Sequence, residues 1–276
     1  MRSDARDDTM NVGTIENLHG LIDAVYQAKE IFAAQDCWWR GHGQETWALV
    51  ARVHREKRSD RYETNIAMRF YNRAPTRHSR CPDADDFAGW LSFMQHYGLP
   101  TRLLDWSGSA LIAAFFIANN PKRDNEPGAL WALHPALLNE AEGMSKGIKG
   151  PDVKDVQQLY LRPFKEVAEV DRIAAALAPE KDIRMLVQLA AHTVHGSDRA
   201  LETHEQRDRF LMKWVVPAAA KSRLRADLDL LGIRTSTVFP DLEHLAKELT
   251  KSKFSARQED ALAPTDGSPV EASERD

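Results

Sequence analysis

Residues 95–107, which read QHYGLPTRLLDWS, contain most of the information on the fold of this chain. They follow a helical pattern at 86–97, and Gly98 and Pro100 are residue types that end a helix in a tight turn. Residues 101–106 then predict a strand that leads out of this turn. The apolar run ALIAAFFIA at 110–118 comes next and predicts a buried helix, capped by Ser107 or Ser109.

The composition indicates a globular protein, and the absence of a Gly- or Ser-rich linker favours one large domain over the two small ones that the length would also allow. The chain has 276 residues, of which 43 % are apolar, and this is enough for a sizeable core. Its formal net charge of −4 gives no general attraction to nucleic acid or to an anionic membrane. The two cysteines, Cys37 and Cys81, have no zinc-site spacing, so we predict reduced thiols and no metal.

Both ends of the chain have the composition of disordered segments. We therefore predict a disordered tail at 1–13, one domain at 14–253 and a disordered acidic tail at 254–276. The first eleven residues contain no apolar stretch of the kind that a secretory signal requires. The run at 110–118 has roughly half of the about 20 residues that span a bilayer. We therefore expect a cytoplasmic protein with no membrane partner.

The remaining patterns predict an α+β fold with a mixed central sheet flanked by helices, because strands and helices alternate without a regular βαβ rhythm. No glycine-rich dinucleotide or P-loop motif occurs in the sequence. The further predicted strands are 37–40, 129–133, 185–194 and 210–216, and the further predicted helices are 18–32, 63–73, 218–231 and 239–251.

Arg40 is the first candidate for a binding residue. It ends a short aromatic strand, and a buried guanidinium is costly unless its charge is satisfied. Its planar fork suits a phosphate or a carboxylate, and Gly41 would allow a ligand to approach the backbone. The alternative is a structural pair with an internal carboxylate such as Asp105.

Arg102 and Asp105 are three residues apart on the predicted strand, so their side chains should point to opposite faces. One interpretation sends Arg102 to a ligand and uses Asp105 to orient a neighbour. The alternative is a buried network of ion pairs that holds the fold together.

Four further side chains have both a chemical and a structural interpretation. His96 is either a general acid or base or the C-cap of a helix. Trp106 either stacks on a ligand ring or packs in the core. Thr101 and Ser107 suit hydrogen bonds to a ribose or an amide, although Ser107 also suits a helix cap.

Several arginines have the spacing of one helix face, although Pro75 interrupts it. Such a face would attract nucleic acid, whereas a solvated surface is the plainer interpretation. These residues are Arg69, Arg73, Arg77 and Arg80.

The motifs resemble the FRG domain, a family named for a Phe-Arg-Gly element. The resemblance rests on Trp39-Arg40-Gly41, on MQHYGLPTRLLDWS at 94–107 and on the downstream segments 188–195, 230–233 and 238–242, and it covers roughly residues 15–252. This chain departs from the family pattern in that Trp39 replaces the Phe. The family has Gln directly after Arg-Gly, whereas here His42-Gly43 separates Arg40-Gly41 from Gln44. Ala190 and His192 replace the Gly and the Phe of the family's downstream element.

The order of these elements also resembles that of ADP-ribosyltransferases. That resemblance implies a phosphorylated nucleotide such as NAD as ligand and substrate, no tightly bound cofactor, and ADP-ribosyl transfer as the reaction. In this scheme Arg40 clamps the ligand, Ser107 positions the nicotinamide ribose and Gln188 holds the 2′-hydroxyl. A Gln in the place of a catalytic Glu carries no charge, and it predicts a slow enzyme, a changed acceptor or no catalysis.

The occurrence of the family implies a role in bacterial defence or in a toxin system, with a nucleic acid or a protein as acceptor. The main alternative is a non-catalytic sensor or adaptor that binds nucleic acid or a phage protein. A third hypothesis is a metal-free hydrolase with His96 as base. His192 and His195 are expected to be hydrogen-bonded core residues.

Overall fold

The computed structural model describes residues 11–33, 37–56, 58–59, 61–177 and 183–251. Seven strands in this part of the chain form one mixed sheet in the order β1-β7-β4-β2-β3-β6-β5, in which β1 and β7 are parallel and all other neighbours antiparallel. The strands are β1 (Asn11–Thr14), β2 (Trp38–His42), β3 (Leu103–Ser107), β4 (Gly128–Leu133), β5 (Ile173–Ala176), β6 (Ala190–His195) and β7 (Leu211–Val216).

Helices cover both faces of this sheet. They are α1 (Leu18–Phe32), α2 (Tyr62–Arg73), α3 (Phe87–His96), α4 (Ala110–Ala118), α5 (Pro135–Ala141), α6 (Lys154–Leu161), α7 (Ile183–Val187), α8 (Ala218–Leu230), α9 (Thr235–Val238) and α10 (Leu242–Lys251). The predicted α+β class with a mixed central sheet is therefore confirmed. Among the described residues, no helix combines the length and the apolar character that a bilayer span requires.

Three details correct the sequence-based expectations. Residues 11–13 were predicted to lie in a disordered tail, but Asn11–Thr14 form β1, which pairs with β7. Residues 183–187 form a helix where a strand was expected from 185, since the extended conformation starts only at Ala190. Ser109, and not Ser107, caps α4 by accepting a hydrogen bond from the amide of Ile112. The predicted tails at 1–10 and 254–276 lie outside the described residues.

The sheet has a weak line between β2 and β3. These central neighbours share a single residue pair, Trp39 with Ser107, whereas β2 pairs with β4 over five residues. The strands diverge after that pair, and the sheet therefore consists of a half formed by β1, β7, β4 and β2 and a half formed by β3, β6 and β5.

Each face of the sheet has its own core. On the front face, Trp39 and its neighbours pack under α1, α4 and α8, while Leu103 and its neighbours pack under α2, α3 and α6. On the back face, one continuous core runs from Trp38 through Leu104 and Trp106 to Ile173, beneath α5 and adjoining loops. The back core thus spans the weak line, and the two front cores lie on either side of it.

Gly41 allows α4 to approach β2 closely. A Cβ atom at this position would lie 1.8 Å from the carbonyl oxygen of Ala113 on α4. The expectation that Gly41 opens the backbone to a ligand is therefore wrong, because the backbone of a helix already occupies that space.

Two buried histidines of β6 are hydrogen-bonded core residues, as expected. The Nε2 atom of His192 lies 2.5 Å from the hydroxyl of Tyr160, and that of His195 lies 3.0 Å from the hydroxyl of Thr193. Burial lowers the pKa of His192 to about 4 and that of His195 to about 3. Both side chains are therefore neutral in the folded protein near pH 7.

These histidines predict a loss of stability in mild acid. An unfolded chain protonates each near pH 6.5 while the folded protein does not, so the unfolded state gains protons first as the pH falls. The loss begins below pH 6.5 and reaches about 2 kcal/mol per histidine at pH 5. Urea unfolding of His195→Gln between pH 7.5 and 5 should show a flatter decline than the parent, whereas exposed His19→Gln should follow the parent. Parallel curves for all three proteins would contradict this account.

Candidate functional site

A cavity of about 720 Å³ lies on the front face, beside the weak line of the sheet. Its walls come from α3, β3, β6, α7 and the loop around residues 80–83. Four of the predicted site residues line it, namely His96, Asp105, Trp106 and Gln188. Its volume falls in the range of about 300–1,000 Å³ that is usual for sites of small molecules and cofactors.

Asp105 is one of two exposed carboxylates that line this cavity, the other being Asp83, and α3 orients it. The amide nitrogen of Gln95 donates to the Oδ1 atom of Asp105 over 2.5 Å, and the oxygen of the same amide accepts from the hydroxyl of Thr101 over 2.5 Å. The Thr101 hydroxyl is buried and also accepts from the amide of Leu103. Thr101 was predicted to contact the ligand, but it instead fixes Gln95, which in turn fixes the carboxylate.

Arg40 meets the 101–107 segment from the opposite side. Its strand register places its side chain on the back face with Trp131, and its Nη1 atom donates to the carbonyl oxygen of Asp105 over 2.5 Å. Its Nε atom donates to the Nε2 atom of His42 over 3.0 Å. The guanidinium therefore fills the gap where β2 and β3 diverge and replaces the backbone hydrogen bond that a regular pair would make.

The electrostatic surroundings of Arg40 agree with a bracing role. Burial lowers the pKa of Arg40 to about 10, and the negative charge of Asp105 partly offsets this. Arg40 remains charged at neutral pH, and its polarised N–H groups favour the carbonyl. Arg40 is not among the described residues that line the cavity.

Ser107 and Gln188 meet as predicted, but their polar atoms are engaged within the protein. The hydroxyl of Ser107 donates to the backbone carbonyl of Gln188 over 2.6 Å and accepts from the amide of Ser109. The side-chain nitrogen of Gln188 donates to the carbonyl of Val238 over 3.0 Å. Ser107 thus connects the end of β3 to the segment before β6. The amide nitrogen of Gln188 is bound to Val238 and is therefore not available to a ligand.

Arg102 and Trp106 also have structural partners. Arg102 is buried and forms a two-pronged ion pair with Glu63 of α2, so the prediction that it contacts a ligand is not supported by its position. The indole nitrogen of Trp106 donates to Thr193 over 3.2 Å, and its side chain packs in the back core. Arg102 lies just before β3, which begins at Leu103, and its partner Glu63 belongs to α2 on the front face, so strand alternation does not account for its position.

Sequence reasoning missed three residues of the cavity lining. His192 lies directly opposite Asp105 across the β3–β6 pair, and Tyr160 of α6 holds its imidazole from behind. Gln95 belongs to the quoted motif, but nothing in the sequence shows that it contacts Asp105. Arg80 is exposed at the rim, and it is the one Arg or Lys among the described residues that line the cavity. The described residues contain no cluster suited to a metal ion.

Arg40→Ala should destabilise the protein by about 2–3 kcal/mol, because the Asp105 carbonyl and the His42 ring nitrogen would lose a charged donor. Urea unfolding at pH 7 measures this change. Arg58→Ala is the matched control, since Arg58 is exposed and has only surface partners among the described residues, the carboxylate of Glu56 and the ring of Tyr62, and it should change stability by under about 1 kcal/mol. Equal stability of Arg40→Ala and the parent would show that Arg40 does not brace the sheet.

Comparison with known proteins identifies one family. The model of the FRG domain matches residues 35–126, a segment that includes β2, α2, α3, β3 and α4. The match therefore covers Arg40 and the α3–β3 wall of the cavity, while Gln188 and His192 lie beyond it. No curated protein and no solved structure matches the chain.

Proposed function

Because this chain contains an FRG domain, we propose that its front cavity binds a phosphorylated nucleotide such as NAD. We propose further that it is an effector in bacterial defence or in a toxin system, as the family resemblance implies. The observation that carries the proposal is the convergence of His96, Asp105 and Gln188 on one cavity. These residues come from the end of α3, from β3 and from the segment before β6.

Three of the lining side chains suit particular chemical groups of such a nucleotide. The carboxylate of Asp105 is an acceptor for ribose hydroxyls, and an acidic residue is a common partner of ribose in dinucleotide sites. Arg80 at the rim supplies a guanidinium for the phosphates. Gln188 presents its amide oxygen to a hydroxyl because its nitrogen is bound to Val238.

We propose binding with at most slow turnover. In the ADP-ribosyltransferase scheme Arg40 clamps the ligand and Ser107 positions the nicotinamide ribose, but here Arg40 braces β3 and the Ser107 hydroxyl is engaged by Gln188. The remaining member, Gln188, has no charge with which to stabilise a developing oxocarbenium ion. ADP-ribosyl transfer from NAD is therefore the reaction proposed for this site, at a low rate.

A second candidate is a non-catalytic sensor or adaptor. The observation that favours it is the same engagement of Ser107 and of the Gln188 amide nitrogen in internal hydrogen bonds. A sensor of this kind binds a nucleotide in the cavity without converting it, and its downstream partner is a nucleic acid or a phage protein.

NAD should raise the melting temperature of the protein in a concentration-dependent manner, because a ligand that binds only the folded state stabilises it. Asp105→Asn should weaken this binding about tenfold or more, since it replaces a charged acceptor at similar size. Glu166→Gln removes an exposed carboxylate elsewhere and should leave binding unchanged. Calorimetric titration gives the affinities, and equal binding by Asp105→Asn and the parent would count against the site.

Gln188→Glu tests the proposed reaction. If Gln188 occupies the position of a catalytic carboxylate, this variant should release nicotinamide from NAD at least tenfold faster than the parent. Gln158→Glu on α6 makes the same charge change at an exposed position and should have no effect. Chromatographic assay of nicotinamide measures both, and release that does not rise in Gln188→Glu would favour the sensor.

A further inference from the structure

A second concave surface lies on the other side of α3, between α2 and the turn that follows α3. We name it the arginine groove, and it has a volume of about 760 Å³. Its lining contains Arg69, Arg73 and Arg77, and the aromatic residues of the groove are Tyr62, Phe70, His78, Phe93 and Tyr97.

The arginine groove carries unbalanced positive charge. Arg69, Arg73 and Arg77 are exposed, and none of them forms an ion pair with a carboxylate in the described part of the chain. No acidic residue lines the groove within that part either. Because the whole chain has a formal charge of −4, this positive charge is a local feature of one surface.

Aromatic rings form the floor of the groove beside these cations. Tyr97 is half exposed, and its ring lies 4.9 Å from that of Phe93 and 6.3 Å from that of Phe70. His78 packs against the same rings at 5.2 Å from Phe93 and 6.0 Å from Tyr97. An exposed ring held by packed neighbours is a rigid surface on which a planar group can stack.

The arginines follow one another at intervals of four residues. Four residues of helix rise by about 6 Å, so Arg69 and Arg73 lie along one edge of α2 and Arg77 continues the row beyond it. A contact between the Nη1 atom of Arg77 and the carbonyl of Arg73 holds the end of the row, at 2.9 Å. A row of cations along an aromatic floor matches a phosphate backbone with unstacked bases.

We propose that the arginine groove binds single-stranded nucleic acid. Arg69, Arg73 and Arg77 contact successive phosphates, and Tyr97 stacks on a base. A duplex fits this surface less well, because its bases are already stacked on one another and cannot reach the rings. An acidic peptide would use the arginines but would leave the aromatic floor without a planar partner.

The groove and the front cavity share a wall formed by His78, Phe93 and Tyr97. A strand in the groove therefore lies next to the cavity. The inference does not depend on nucleotide binding, because none of the three arginines lines the cavity.

Fluorescence anisotropy with labelled oligo(dT) and oligo(U) of about 10 nucleotides tests this proposal. Binding of either strand should fall with salt at a slope of about −2 on logarithmic axes, since three phosphate contacts contribute about 0.7 each. The triple variant Arg69→Gln, Arg73→Gln, Arg77→Gln should lose that slope and bind at least tenfold more weakly. Tyr97→Ala should weaken binding about 5- to 100-fold and keep the slope.

The matched control removes three exposed lysines elsewhere, as Lys29→Gln, Lys122→Gln, Lys146→Gln, and should bind like the parent. Thermal melting verifies that each variant is folded, and each single arginine variant should lower the slope by about 0.7 if the triple variant does not fold. The proposal is overturned if neither strand binds at 50 mM salt, if both triple variants lose binding equally, or if a polyglutamate peptide competes as well as the oligonucleotides. Titration of the arginine variant with NAD reports separately on the front cavity.

Discussion

The hydrogen bond from the Arg40 guanidinium to the Asp105 carbonyl crosses the weakest line of this sheet. Only Trp39 and Ser107 pair there, and the two front cores lie on either side of it. The back core is continuous across the line, so apolar burial joins the halves from behind while Arg40 joins them at the strands. A partly buried cation at this place is stable because the carbonyl of Asp105 and the imidazole of His42 satisfy two of its donor atoms.

This brace also explains how the cavity is built. The carbonyl of Asp105 faces Arg40, and its carboxylate faces the cavity, where Gln95 orients it. A displacement of β3 would move both groups together, and it would also move Ser107, which holds the backbone of Gln188. Residues that an ADP-ribosyltransferase scheme assigns to the substrate thus maintain the position of the residues that do line the cavity.

The front cavity and the arginine groove differ in the chemical groups that they present. The cavity combines two carboxylates with amides and imidazoles, which are the groups that the proposed nucleotide would contact. The arginine groove combines guanidinium groups with aromatic rings, which suit phosphates and unstacked bases. The aromatic residues of α3 and its following turn separate the two, so this helix contributes to both surfaces.

The sequence by itself determined the class of fold, the helix at 110–118 and the strand after Pro100, because all of these follow from local periodicity and turn chemistry. It also contains the FRG motif, and the family model matches residues 35–126. Only the tertiary structure decided which partner each polar side chain has. Arg102 pairs with Glu63, Arg40 with a backbone carbonyl and His192 with the hydroxyl of Tyr160, and these contacts join residues far apart in the chain. Local patterns fix the direction of a side chain relative to its own element, whereas its partner depends on the register and packing of elements that the pattern does not relate to one another.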